Sequence, residues 1–168
     1  MLDPEDHLDL DAVVAVVNEY GAATRDAAGE SADPFPAEPP ITGLPVDALR
    51  RIADAWFTIF AAGDDLGTTA AELDAHLGAL TPALRIDHAH GRVTAQLGND
   101  ALDAEHQVLL AGFLSLLGAL CAQQRIGTCV GDECLDVYVD RSPRQSRAYC
   151  STRCQTRARV RRHRLRSG

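Results

Sequence analysis

The 168-residue chain contains no lysine, few aromatic residues and no acidic residue after Asp140. All sixteen basic residues are arginine, so every positive charge is permanent and can form paired hydrogen bonds with phosphate or carboxylate groups. Aromatic residues make up 5% of the chain, which predicts a core built from leucine, valine, isoleucine and alanine. Because few aromatics accompany the arginines, stacking on single-stranded bases is disfavoured as a mode of binding.

The sequence also lacks the motifs of several large enzyme classes. It has no P-loop, no G-x-G-x-x-G loop, no H-E-x-x-H helix and no G-x-S-x-G nucleophile turn. Its longest apolar segment, residues 108–122, has fifteen residues. As a helix this segment would span about 22 Å, which is shorter than the roughly 30 Å hydrocarbon core of a bilayer. We therefore predict a protein that is neither an enzyme nor a membrane protein.

The N-terminal residues Met-Leu-Asp-Pro-Glu-Asp-His are acidic, whereas a secretory signal begins with positive charge. This start predicts a cytoplasmic protein. In a reducing compartment, paired cysteines bind metal more often than they form disulfides.

Charge is divided unevenly along the chain. Residues 141–168 hold ten arginines and no acid, whereas residues 1–140 hold six arginines and all 24 acids. The two segments therefore carry formal charges of +10 and −18, which together give the net charge of −8. This division predicts an acidic body carrying a basic arm that needs an anionic partner, and the arm's own body is one such partner.

Apolar periodicity predicts a mostly helical body. We expect helices over 11–20 and 45–62, the second with Trp56 in the core, and a third that begins at a Thr69-x-x-Glu72 capping box. Asp64 and Asp65 are expected to end the preceding helix. Residues 84–97 alternate around Ala89-His90-Gly91 as a β-hairpin does. A long helix, opened by Asp100 or Asp103 and reaching Arg125, is predicted to be the central core helix, with Cys121 as a buried thiol.

Four cysteines near the C-terminus have the spacing of a metal site. Two ligands come from Cys129-x4-Cys134 and, after fifteen residues, two more from Cys150-x3-Cys154. A tetrahedral Zn²⁺ ion takes four thiolates, and each short-spaced pair supplies two of them from a turn or one helical face. We predict one structural Zn²⁺; an iron–sulfur cluster and a thiol redox switch are the alternatives that use the same residues.

The residues around the cysteines predict a small module of a hairpin followed by a helix, in a treble-clef or ribbon-like arrangement. Gly131 is expected to permit the turn between the first two cysteines, and residues 135–140 alternate like a strand. Asp140 and Ser142 are expected to fix the turn that follows. A helix beginning near Ser151 would place Cys150 and Cys154 one turn apart.

This segment resembles the CGNR zinc-finger family. The resemblance rests on the two cysteine pairs together with Tyr138-Val-Asp140-Arg-Ser142 and Arg147-Ala-Tyr149-Cys150-Ser151. It departs from that family at Gln155-Thr156, where Gly-Asn is usual, and at Tyr149, where tryptophan is usual. The resemblance implies an ABATE-like helical domain over residues 1–125, a Cys₄ zinc finger over 126–168 and a role in transcription regulation.

Together these features predict a cytoplasmic regulator of α+β class whose arginine-rich helix binds DNA. The body would bind a small-molecule ligand or pair with a second copy, and two arms per dimer would suit a two-fold DNA site. Two other functions remain open: an adaptor that docks its arm on an acidic protein surface, and a zinc-thiol sensor of oxidative stress. The arginines expected to contact nucleic acid are Arg144, Arg147, Arg153, Arg157, Arg159, Arg161, Arg162 and Arg164, although Arg147 could instead pack on the metal module.

Overall fold

Helices alternate with two short hairpins along the computed structural model, which describes residues 8–63, 65–80, 83–89, 92–98 and 102–167. For residues 83–89 and 92–98 it describes the backbone alone. The predicted fold class is confirmed: a mostly helical body with one hairpin, followed by a cysteine cluster and a terminal helix. The elements in chain order are α1 (Leu10–Tyr20), α2 (Ala22–Ala28), α3 (Val46–Ala62), α4 (Leu66–Leu80), β1 (Ala83–Ala89), β2 (Arg92–Gly98), α5 (Ala104–Cys121), β3 (Arg125–Thr128), β4 (Val137–Asp140) and α6 (Thr152–Ser167).

The first helix forms where its valine stripe predicts it. Asp9 caps α1 by accepting a hydrogen bond from the Asp11 amide, and Gly21 ends it with its N–H bonded to the Val17 carbonyl. Val13, Val16 and Val17 of α1 are fully buried, Leu10 and Val14 are partly buried, and the helix packs against α3. A second helix that the sequence analysis did not predict, α2, follows directly after Gly21 and ends at Gly29, whose φ of 75° suits a residue without a side chain.

The central position in the core belongs to α3, which contacts α1, α2, α4, α5 and both strands of the β3–β4 hairpin. Its Trp56 is fully buried, as predicted, and donates its indole N–H to the Leu109 carbonyl of α5 at 3.1 Å. The two helices can approach this closely because Gly112 of α5 faces the indole. A Cβ atom at Gly112 would lie 2.0 Å from Trp56 Cζ2. Because α3 contacts more of the other elements than α5 does, the prediction that α5 would be the central helix is wrong.

The start of α4 also differs from the prediction. The helix begins at Leu66, and Asp65 is its N-terminal cap: its carboxylate accepts hydrogen bonds from the amides of Gly67 and Thr68 and from the Thr68 hydroxyl. These bonds hold the pKa of Asp65 below its ordinary value. Thr69 lies inside the helix and is buried, so it does not form the predicted capping box. Asp65 therefore begins a helix and does not end one, whereas Asp64 lies outside the described residues.

The predicted hairpin is present as β1 and β2, which pair antiparallel from Ala83 opposite Gly98 to Ala89 opposite Arg92. Its predicted turn at His90-Gly91 lies outside the described residues, and so does the alternative helix start at Asp100.

The long helix α5 begins at Ala104, directly after Asp103, which caps it by accepting a hydrogen bond from the His106 amide. It ends at Cys121, four residues earlier than predicted, because Gln123 adopts a φ of 58° and Arg125 already begins β3. Cys121 is exposed, so the prediction of a buried thiol is wrong. By length and composition alone α5 could cross a membrane, but it packs on α3, α4 and β3. That the protein lacks a membrane partner remains a prediction.

The second hairpin, β3–β4, joins the core of the body to the cysteine module. Its strands pair antiparallel from Arg125 opposite Asp140 to Thr128 opposite Val137. Ile126, Val137 and Val139 belong to the same cluster of buried apolar side chains as α1, α3 and α5. The division that we predicted at residue 125 thus coincides with the start of β3, and the apolar core continues across it.

Candidate metal centre and basic helix

The first cysteine pair lies at the end of the β3–β4 hairpin. Cys129 directly follows β3, and its amide donates to the Asp136 carbonyl at 2.8 Å, which closes the loop carrying Cys134. The chain turns over residues 131–133, with a bend at Gly131 as predicted and a φ of 56° at Glu133. Gly131 also leaves room for the sulfurs, because a Cβ atom there would lie 3.3 Å from Cys129 Sγ. Its amide donates to that sulfur at 3.4 Å.

The second pair lies at the start of α6. Cys150 precedes the helix, and Cys154 lies in its first turn with its amide donating to Ser151 Oγ at 3.3 Å. The sequence predicted this arrangement. Because unpaired amides give a helix N-terminus a partial positive charge, this end of α6 favours thiolates beside it.

The four sulfur atoms lie within 4.8 Å of one another. The Sγ–Sγ distances are 3.7 Å for Cys134–Cys150, 3.5 Å for Cys150–Cys154 and 3.8 Å for Cys154–Cys134. A tetrahedral ion with zinc–sulfur bonds of about 2.3 Å has sulfur–sulfur edges of about 3.8 Å. Four cysteines at these separations could therefore hold one zinc ion, as the sequence predicted. None of the sulfurs is joined in a disulfide.

Burial controls the protonation of the metal-free thiols. It raises the pKa of Cys134 to about 12 and also raises the pKa of Cys150. The pKa of Cys154 is lowered: burial opposes the shift, but hydrogen bonds from Cys150 and Ser151 outweigh it. Cys134 and Cys150 are therefore thiols before metal binds, and a metal ion must displace their protons.

A polar network around the buried Asp140 holds the segment between the two cysteine pairs. The Asp140 carboxylate accepts the Ser142 amide at 2.9 Å and the Arg147 amide at 2.7 Å. Burial opposes ionisation of this carboxyl, but these hydrogen bonds and that of the Ser142 hydroxyl outweigh it, so the pKa of Asp140 is lowered. The prediction that Asp140 fixes this turn is confirmed.

Arg147 is part of the same network. Its guanidinium donates to the carbonyls of Val139, Tyr149 and Cys150 and lies 5.1 Å from the centre of the Tyr138 ring. The Tyr138 hydroxyl in turn donates to the Arg147 carbonyl at 2.7 Å. Of the two roles that the sequence left open for Arg147, the structure shows packing on the metal module. Because its donors are used there, we leave it out of the nucleic-acid surface.

The other predicted arginines are exposed, and all but one of them lie on α6. Two are paired within the module: Arg161 with Asp132 at 3.0 Å, and Arg162 with the Tyr149 hydroxyl at 3.4 Å. The rest have no hydrogen bond or ion pair with any residue that the structure describes, and these are Arg144, Arg153, Arg157, Arg159 and Arg164. The structure thus places most of the predicted set on one helix that begins at the metal site.

The body touches the module through α1, a contact that the sequence did not reveal. The Asn18 side chain bonds both main-chain groups of Val137: its Nδ2 donates to the carbonyl at 3.2 Å and its Oδ1 accepts the amide at 2.7 Å. Beside it, Asp11 forms an exposed ion pair with Arg141 at 3.0 Å. Asn18 interrupts the valine stripe of α1, and this polar break in an apolar run is the signal that could have marked it.

The segment that contains the four cysteines, the hairpin and α6 matches a known protein family. Residues 125–167 match the CGNR zinc finger family. The match confirms the resemblance for the C-terminal module, although it covers only about a quarter of the 168 residues. It does not extend to residues 1–125, for which the ABATE-like domain remains a prediction. No curated protein sequence matches this chain.

Within this CGNR zinc finger, the residues that depart from the usual pattern lie on the surface. Gln155 and Thr156 are exposed on α6 and make no side-chain hydrogen bond with the described residues. Tyr149 is half-buried, and its hydroxyl accepts the bond from Arg162. The substitutions therefore leave the metal frame intact and change what α6 presents to solvent.

Proposed function

We propose that this protein is a transcription regulator that binds DNA through α6, with the metal centre holding the helix in place. The observation that carries the proposal is the group of exposed arginines on α6 without an acidic partner among the described residues. Like charges at this density destabilise a helix by a few tenths of a kcal/mol per neighbouring pair. An anionic partner removes that cost, and a DNA duplex offers closely spaced phosphates.

The ion would have a structural role. Four thiolates fill the tetrahedral coordination of zinc and leave no position for water or substrate. Apart from Cys154, the described residues of α6 bury little surface, so the ion and its cysteines provide the main attachment of the helix. We propose that the body, in a cytoplasmic protein, binds a small-molecule ligand or a second copy of the chain.

Salt dependence of DNA binding tests the proposal. Each phosphate neutralised by an arginine releases counterions, so the logarithm of the affinity should fall linearly with the logarithm of salt, by about 0.9 per contact. We expect the triple variant Arg153→Gln, Arg157→Gln, Arg164→Gln to bind duplex DNA more weakly and to reduce this slope by about three. Glutamine keeps nearly the same helix propensity as arginine, so the helix itself is little perturbed. Fluorescence anisotropy with full-length zinc-loaded protein provides the measurement.

The control is Arg50→Gln, which removes an exposed arginine from α3, outside the module. It should leave both the affinity and the salt slope unchanged. A salt-independent affinity, or equal losses in the control and the arm variants, would refute DNA binding by α6.

An adaptor function is the second candidate, favoured by the ion pairs that Arg141 and Arg161 form with Asp11 and Asp132. In these pairs, arginines of residues 141–168 bind carboxylate groups of the same protein. An acidic peptide that competes with DNA and binds α6 more tightly at equal salt would favour the adaptor.

A further inference from the structure

One line of residues along α6 faces the metal module. Residues spaced by four, three and four positions share a helix face. On this line Cys154 is buried at the metal site, Ala158 is half-buried, and Arg161 is paired with Asp132. Leu165 continues the line but is 75% exposed, so the helix has already left the module at that point.

The line of residues two positions earlier faces the opposite way. At 100° per residue, a shift of two positions turns the side chain by about 200°. This outer line consists of Thr152, Thr156, Arg159 and His163, and all four are exposed. It spans about 16 Å along the helix axis at a rise of about 1.5 Å per residue.

Arginines lie on both sides of the outer line. One flank carries Arg153, Arg157 and Arg164, and the other carries Arg162 and Arg166 together with Gln155. Every one of these residues is exposed, and no acid occurs anywhere in α6. The helix therefore presents a central row of threonine, arginine and histidine between two rows rich in arginine.

This arrangement matches the major groove of B-form DNA. The groove is about 12 Å wide and admits a helix of about 10–12 Å diameter, with phosphates along both walls and base edges on the floor. Flanking arginines would then reach the phosphates of the two strands, while the outer line faces the bases. Threonine and arginine are side-chain types that hydrogen-bond base edges, and arginine binds the O6 and N7 atoms of guanine in a bidentate manner.

We propose that α6 lies in the DNA major groove and reads sequence through Thr152, Thr156 and Arg159, with Arg159 selecting a guanine. The inference rests on the proposed function and assigns separate roles to arginines that bear the same charge. Arg159 specifies a base pair, whereas Arg153, Arg157 and Arg164 hold the backbone. Duplex RNA is not the expected ligand, because its major groove is too deep and narrow for a helix.

The test compares two single variants of the full-length zinc-loaded protein, Arg159→Gln and Arg164→Gln. Both remove one positive charge from an exposed position of the same helix. Duplexes selected from a random pool by the unmodified protein should contain a preferred guanine. Arg159→Gln should lose that preference, measured as a drop of about 5- to 150-fold in discrimination against the other bases at that position. Arg164→Gln should weaken binding to all sequences alike, lower the salt slope by about one and keep the preference.

The outcomes separate the inference from the function on which it rests. Salt-dependent binding to DNA without any sequence preference would overturn base reading and leave DNA binding intact. The inference also fails if Arg164→Gln alters base preference while Arg159→Gln does not, or if duplex RNA binds as tightly as the selected DNA. Absence of any DNA binding would refute the proposed function itself. A second variant, Thr156→Ala, should change preference next to the guanine without changing the salt slope, because it removes no charge.

Discussion

The body and the zinc module are held together by different forces, although one hairpin belongs to both. In the body, the side chains of Val13, Trp56 and Phe113 are fully buried, and α3 alone contacts most other described elements. Among the described residues after β4, Cys154 is the only buried one, and the chain is held by cysteines and by bonds to Asp140 and Arg147. The body depends on burial of apolar surface, whereas the module depends on metal coordination and polar bonds.

Removal of zinc should have the largest effect and should act on the module alone. Structural zinc contributes an apparent ~10–16 kcal/mol to small modules at neutral pH. We expect Cys154→Ser to abolish zinc binding, measured as metal content per chain, and to expose the amides of α6 to hydrogen exchange while those of α1 and α3 stay protected.

Cys121→Ser is the matched control, because Cys121 is exposed and lies outside the cluster. It should retain about one zinc per chain. Zinc affinity should also fall as pH falls, because the raised pKa of Cys134, about 12, means that binding must release its proton. Loss of protection throughout the body in Cys154→Ser would contradict the contrast between the two regions.

Overpacking the contact between α3 and α5 should produce the next largest effect, this time in the body. Gly112→Ala would place a methyl group 2.0 Å from Trp56 Cζ2. We expect it to lower the free energy of unfolding by about 3 kcal/mol, because the indole is fully buried and cannot move freely. Chemical denaturation monitored by Trp56 fluorescence checks this.

Gly118→Ala on the same helix is the control, since a Cβ atom there meets no other atom within 4 Å. It should be neutral or stabilising by up to about 1 kcal/mol. Similar losses in both variants would show that helix propensity, and not the contact with Trp56, determines the result.

The smallest of these effects concerns the polar network of the module. Asp140→Asn replaces one accepting oxygen by an amide group that faces the Arg147 N–H. We expect a loss of about 1–2 kcal/mol, because a partly buried donor remains unpaired. Since the folded-state pKa of Asp140 is lowered, its contribution is complete above the unfolded value of about 3.9 and is lost only as pH falls below it.

The difference between Asp140→Asn and the unmodified protein should therefore be the same at pH 8 and pH 6, measured by urea unfolding of the zinc-loaded proteins. The exposed Asp74→Asn, on α4, should change stability by less than about 0.5 kcal/mol. A loss that differs between the two pH values would rule out the ionised carboxylate as the cause.

The sequence predicted the helices of the body where apolar residues recur at helical spacing. It did not predict α2, because Ala22–Ala28 is rich in alanine and has no apolar stripe. It also assigned the centre of the core to α5. That helix is more apolar than α3, but hydropathy cannot show how many neighbours a helix contacts. The cap at Asp65 was missed because a run of two acids beside Gly63 fits the end of one helix and the start of the next equally well.

In the site, cysteine spacing predicted the metal ligands, since their chemistry leaves few alternatives. The arginines were less predictable. Arg147 and Arg159 look alike in the sequence. The Arg147 guanidinium donates to three carbonyls inside the module, whereas Arg159 on α6 has no partner among the described residues. Which arginine is available depends on where backbone carbonyls lie in space, and no local pattern encodes that.

The bond between Asn18 and β4 has a consequence for how the protein behaves at high concentration. β4 pairs with β3 along one side, and on its other side the amide and carbonyl of Val137 are both taken by Asn18. An unpaired strand edge is a template on which a strand of another molecule can add, leading to domain swapping or aggregation. A single amide side chain from α1 thus occupies the place of a neighbouring strand and blocks that edge.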